Sequence, residues 1–172
     1  HTISRRQRQM CIRDSCHLAL ETYRFDLCAN AIYEFVWHEY CDWYLELSKS
    51  IFWDDNIGVE QQAATRRTLL QVLESLLRIS HPIMPFITET LWHQVAPRLG
   101  VEGTSIMTQS FPEAASCKAD EEAEQQIEWL KAVITALRNI RGEASIKPSQ
   151  GIDVVLQDGD QSDRIQASNC LL

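Results

Sequence analysis

The sequence predicts an all-α protein, an antiparallel helix bundle of four principal helices with a truncated C-terminal β appendage. Three observations carry this. Apolar residues recur three and four apart over long stretches, the spacing of one face of an α-helix. Glycine and proline are scarce, six and five in 172 residues, and several punctuate the ends of those stretches rather than the short intervals of a sandwich or barrel. A hydrophobic fraction of 45% in a chain of this length is enough for one buried core and one main domain.

The first helix is predicted over Tyr23 to Leu47, where Phe25, Ala29, Ile32, Val36, Tyr40, Trp43 and Leu47 form the core stripe and Tyr33, Trp37 and Tyr44 widen it. Ser48 to Gly58 mixes loop formers with the rings of Phe52 and Trp53 and is predicted as the connection. From Glu60 to Ser80 a second helix places Leu69, Leu73 and Leu76 on one face, with Arg66, Arg67 and Arg78 on its polar sides, and Pro82 stops it. Pro85 suits the first turn of a third helix, carried by Phe86, Ile87, Leu91 and Val95 to Pro97. Gly100 to Pro112 is predicted as a crossover wrapped over the bundle.

Asp120 is the predicted N-cap of the fourth helix, with Glu121, Glu122 and Glu124 complementing its dipole and Ile127, Leu130, Ile134 and Leu137 as its stripe. Arg138 and Arg141 lie near its end, with Gly142 as the stop. Beyond Pro148, Ile152, Val154 and Leu156 alternate with Asp153, Val155 and Gln157, a strand signature that lacks partner strands.

Residues His1 to Ser15 show no helical periodicity and carry four arginines against one aspartate. The segment QRQMCIRDS resembles a translated sequencing-adaptor tag, and Cys170 to Leu172 the start of another, so residues 1–15 are expected to be a non-native or disordered tag. A basic RNA-binding arm is the competing reading, but the tract lacks interleaved aromatics for stacking. Residues 16–147 then form the bundle and 148–172 the start of a truncated tail.

A formal charge of −8 counts against a general phosphate binder, although a local basic patch is compatible with it. Six cysteines form no C-x-x-C pair, which points to free thiols in a reducing compartment. No run of 18 apolar residues and no secretory leader is visible, so a cytoplasmic protein without a membrane partner is expected.

Arg24-Phe25-Asp26-Leu27, Tyr33-Glu34-Phe35 and Cys41-Asp42-Trp43-Tyr44-Leu45-Glu46-Leu47, at this spacing, resemble the first helix of the anticodon-binding domain of valyl-tRNA synthetase. HPIMPFITETLW, His81 to Trp92, is similar to a segment shared by several class I synthetases. WLKAVITALRNIRGE, Trp129 to Glu143, is closer to the valine enzyme. The resemblance covers about Leu18 to Leu156. It implies recognition of a tRNA anticodon stem-loop within a monomeric ligase that couples valine to its tRNA with ATP. The active-site signatures H-I-G-H and K-M-S-K-S do not occur here, so this stretch binds without catalysing and needs no cofactor of its own; DNA is not an implied partner.

Splayed anticodon bases are read by stacking and by base-edge contacts. Among the rings, Trp37 and Trp53 are the candidates, one lying off the central stripe and the other in a loop; Asn30 is the base-edge candidate. Arg24, Arg66, Arg67, Arg78, Arg138 and Arg141 are the phosphate or base-edge candidates, with Arg24 and Asp26 equally readable as structural partners. His38 and Cys41, three apart on a helix, are too few ligands for a metal site. The rival readings are the equivalent domain of the isoleucyl or leucyl enzyme, a helical protein-interaction module that the acidic charge would suit, and a helical metalloenzyme.

Overall fold

The computed structural model describes residues 5–112, 121–147, 150–155, 159 and 163. The Asp120 cap, the Leu156 and Gln157 end of the proposed strand, Cys117, and residues 1–4 and 170–172 of the suspected tags lie outside the described residues. The chain divides into two compact units, formed chiefly by Arg6–Cys117 and by Lys118–Leu172.

The first unit begins with α1, Arg5–Glu21, so the stretch expected to be aperiodic is helical and the boundary placed after Ser15 falls inside a helix. Ile12 packs on a core cluster containing Cys16 and Ala19. That stripe has helical spacing but only one strongly apolar member, too weak a signal to see in the sequence. α1 closes with a Schellman pattern: Arg24 N–H donates to Ala19 O at 2.7 Å and Tyr23 N–H to Leu20 O at 3.2 Å, with Tyr23 left-handed at φ 57°. A residue with a Cβ pays about 1–2 kcal/mol for this conformation.

One continuous helical run follows, made of α2, Phe25–Glu34, a π-helical segment, Phe35–Leu45, and α3, Glu46–Trp53. The helix therefore overruns the predicted end at Leu47, and Trp53 is a helix terminus rather than a loop residue. Its stop is chemical. Asp54 Oδ1 accepts from Asn56 N–H at 2.9 Å, an Asx turn that competes with the helix.

Only part of the predicted stripe is buried on this run. Cys28 and Ile32 are the buried residues of α2, whereas Phe25 and Ala29 face solvent. Beyond Phe35 the wider π turns shift the register, leaving Val36, Tyr40, Trp43 and Leu47 at intermediate depth. Tyr40 reaches across to α4, donating its hydroxyl to Leu69 O at 3.2 Å. Burial, with smaller effects of Cys41 and Tyr44, pushes its phenol up to about 12.

α4, Val59–Ser80, and α5, Pro85–Leu99, agree with the predicted second and third helices, except that Pro97 sits inside the last turn of α5. The stop is Gly100, left-handed at φ 72°, with Val101 N–H bonded to Ala96 O at 3.0 Å. Two clusters make the core. One joins Cys16, Ala19, Cys28, Ile32 and Ile79; the other joins Leu77, Trp92, Val95, Ala96 and Ile106. The crossover serves both, since Ile106, in a 3₁₀ turn over Ile106–Thr108, enters the second and Phe111 packs on the first. Gly103, at φ 156°, takes a backbone conformation that residues with a Cβ rarely adopt, and a Cβ there would also displace the Gln109 amide and sit 3.2 Å from the Trp92 indole.

In the second unit α6 spans Glu121–Glu143, with Ile127, Leu130, Ile134 and Leu137 half-buried as its stripe. Its left-handed stop is Ser145 at φ 53°, not Gly142, which remains helical. Residues 152–155 form no strand, and none occurs among the described residues. The all-α class stands; an antiparallel bundle of four principal helices does not emerge, since α1 is an additional helix and α6 belongs to the second unit.

Candidate nucleic-acid interface

With Cys28 and Ile32 turned inward, the outward side of α2 and the π-helical segment carries two rows of side chains spaced four apart. Phe25, Ala29, Tyr33 and Trp37 form one row; Asp26, Asn30, Glu34, His38 and Asp42 form the other, and all nine residues are exposed. The rings are ordered against each other. Tyr33 and Trp37 lie parallel, 4° apart with centroids at 6.3 Å, and Tyr33 meets His38 edge-on at 6.3 Å. Tyr23, at the left-handed turn, meets Phe25 edge-on at 6.3 Å.

One end of the polar row is braced. Arg24 donates from Nε and Nη2 to the two oxygens of Asp26 at 2.9 and 2.8 Å, and this guanidinium holds the Asp26 carboxyl down at about 2. His38 stands between Glu34, 3.7 Å from Nε2, and Asp42, 3.6 Å from Nδ1. Asn30 lies exposed within the row. Arg24 is thus paired as the structural reading had it, yet remains on the exposed face.

A second exposed group forms where α3 gives way to α4. Trp53 is 78% exposed at the end of α3, and the Arg66 guanidinium lies 5.2 Å over the ring of its neighbour Phe52. Arg67 is exposed beside Arg66 in sequence. Both arginines and the indole stand at the surface, as the sequence reading requires of phosphate and base contacts.

Arg78 is different. Its Nε and Nη2 donate to Glu74 Oε2 at 3.1 and 2.7 Å, and its Nη1 donates to Ser110 O at 3.1 Å. Glu74 is buried, and its other oxygen accepts the Trp92 indole N–H at 3.0 Å. Arg78 therefore serves as the internal counter-charge of a buried carboxylate and ties the crossover to α4. In the second unit Arg138 is exposed, whereas Arg141 donates to Lys147 O at 3.0 Å and Gln150 O at 2.8 Å, fastening the chain that follows α6.

The HPIMPFITETLW stretch, His81 to Trp92, builds the corner between α4 and α5. Thr88 Oγ1 has one proton and donates it to Met84 O at 2.7 Å, so its 2.7 Å contact with His81 Nδ1 requires that nitrogen to be the donor. Trp92 completes the corner through Glu74. Cys16 and Cys28 are fully buried, and burial, then the Cys28 thiol, pushes Cys16 up to about 12.

Among the described residues no group of three or more His, Cys, Asp or Glu side chains is placed to hold a metal ion. No described helix is long and apolar enough to cross a membrane.

Sequence reasoning missed Phe25, Tyr33, Glu34, His38 and Asp42 as residues of one exposed face. The missed signal was the polar row itself: five polar residues spaced four apart mark the solvent side and carry the adjacent aromatic row with them.

Exposed rings stand beside polar and acidic side chains on the α2 face and beside arginines at the α3–α4 junction, and open ring faces are what bases of single-stranded nucleic acid stack on. The chain matches the family model described as the anticodon-binding domain of tRNA ligase over residues 13–156. It belongs to that family, and tRNA is the ligand this membership implies.

Proposed function

We propose that this chain is the anticodon-binding segment of a cytoplasmic, monomeric valine-tRNA ligase, whose valine activation with ATP takes place in domains outside it. The valine assignment is supported by the CDWYLEL and RNIRGE stretches, Cys41–Leu47 and Arg138–Glu143. The binding role is supported above all by the exposed parallel pair Tyr33 and Trp37 beside Asn30. An aromatic face holds a base without charge, which is how an acidic protein binds a polyanion at one place while repelling it elsewhere.

In this reading Trp37 and Trp53 stack bases, Asn30 reads a base edge, and Arg24, Arg66, Arg67 and Arg138 contact phosphate or base edges. Arg78 and Arg141 are occupied internally and act by holding the fold. The test is binding of anticodon stem-loops to the full 172-residue chain at two salt concentrations. A valine stem-loop should bind more tightly than isoleucine or leucine stem-loops, with affinity falling as salt rises. Preference for the isoleucine or leucine loop would move the chain to that enzyme, and salt-insensitive or absent binding would remove the RNA role.

A further inference from the structure

We propose that Glu34 and Asp42, on either side of His38, set the choice of the third anticodon base by accepting the exocyclic amino group of cytosine stacked beside them on Trp37. The inference rests on the valine reading above and names the specificity determinants of that same face. Valine codons begin G-U and isoleucine codons A-U, so the anticodons share adenine in the middle and differ at the last letter, cytosine for valine and uracil for isoleucine. At that edge cytosine presents an N4 amino donor and uracil an O4 acceptor. An ionised carboxylate only accepts, so it binds the first and repels the second.

Glu34 and Asp42 are placed for this. Both are about half exposed, and both lie beyond hydrogen-bond distance of His38, at 3.7 and 3.6 Å. At these distances the imidazole engages neither carboxylate in a hydrogen bond, so acceptor oxygens on both stay open to a base edge. Asp26, the other carboxylate of the row, is taken up by Arg24. Tyr33, parallel to Trp37 and edge-on to His38, fixes the ring platform next to the same carboxylates. The negative charge also disfavours a phosphate there, so a base edge rather than the backbone is what this part of the face admits.

The experiment compares three valine stem-loops differing only at the last anticodon letter: cytosine, uracil, and pyrimidin-2-one, which lacks both the amino group and O4. The proteins are the full chain, Glu34→Gln and Asp42→Asn, each checked for an unchanged unfolding midpoint. The parent should prefer cytosine over uracil by about tenfold or more, with pyrimidin-2-one between them. At least one variant should shrink the cytosine-to-uracil ratio about tenfold, because an amide can also donate to O4, while the pyrimidin-2-one affinity stays put. If the parent discriminates and neither variant changes the ratio, the inference is overturned and the valine reading survives. If the parent binds all three loops equally, the carboxylates do not select this base. If it binds none, the valine reading falls and this inference with it.

Discussion

Trp37 and Trp92 are the same side chain in opposite surroundings. Trp92, on α5, is 1% exposed, packed with Leu77, Val95, Ala96 and Ile106, and its indole N–H is satisfied by the buried Glu74. Trp37, in the π-helical segment, is 53% exposed and lies parallel to Tyr33 with no such enclosure. Arg78 and Arg66 repeat the contrast: one neutralises Glu74 and holds Ser110, the other rests on the face of Phe52 at the surface. The α4–α5 corner uses aromatic and basic residues to hold itself together, whereas the α2 face and the α3–α4 junction display them. The difference teaches that residue type does not separate an internal role from an exposed one in this domain; enclosure does.

The comparison is broken if substitutions in the corner are tolerated. Trp92→Ala should cost about 3–5 kcal/mol in denaturant unfolding, from lost burial and the cavity left behind. Arg78→Ala should cost about 3–5 kcal/mol too, because it leaves the Glu74 carboxylate buried without its counter-charge. A loss below about 0.5 kcal/mol would return Arg78 to the RNA-contact candidates.

Surface members sharpen the contrast. Arg66→Ala and Arg67→Ala should change stability by no more than about 0.5 kcal/mol, yet each should lower the salt slope of stem-loop binding by about 1. Arg67→Ala losing stability as Arg78→Ala does would erase the distinction.

Smaller effects come from the turn that leads into the face. Tyr23→Gly should raise stability by about 0.5 kcal/mol, since relief of the left-handed backbone exceeds the entropy cost of glycine. Guanidine titration of the two proteins checks this. Asp26, held at about 2 by Arg24, should return toward the 3.8 of an unperturbed aspartate in Arg24→Ala, as followed by carboxyl NMR shifts. Because the folded value is the depressed one, the pair's contribution is fully present above about pH 4 and is lost as pH falls through about 2.

Much of the fold was legible because α4, α5 and α6 follow 3.6-residue periodicity with strong aliphatic signals and clear stops such as Pro82. α1 was not, since its inward residues Ile12, Cys16 and Ala19 are mostly small, and the arginines around them dominate the composition. The first core helix was found but rotated. Ranking Phe25 above Cys28 as a core residue follows hydrophobic area, while the structure buries the cysteine, and the π turns after Phe35 then break any single stripe. Of the candidate site, the exposure of Asn30, Trp37, Trp53, Arg66 and Arg67 was legible, but Arg78 could be told from them only by its contact with Glu74 on the preceding turn and with Ser110 far along the chain.

The account stands most directly on Trp37→Ala, measured for valine stem-loop affinity at two salt concentrations and for unfolding in denaturant. Removing an exposed stacking ring should weaken binding by about 1–3 kcal/mol with the salt slope preserved. The unfolding free energy should move by no more than about 0.5 kcal/mol. Unchanged affinity, or a loss of stability approaching that of Trp92→Ala, would contradict the assignment of the α2 face to recognition.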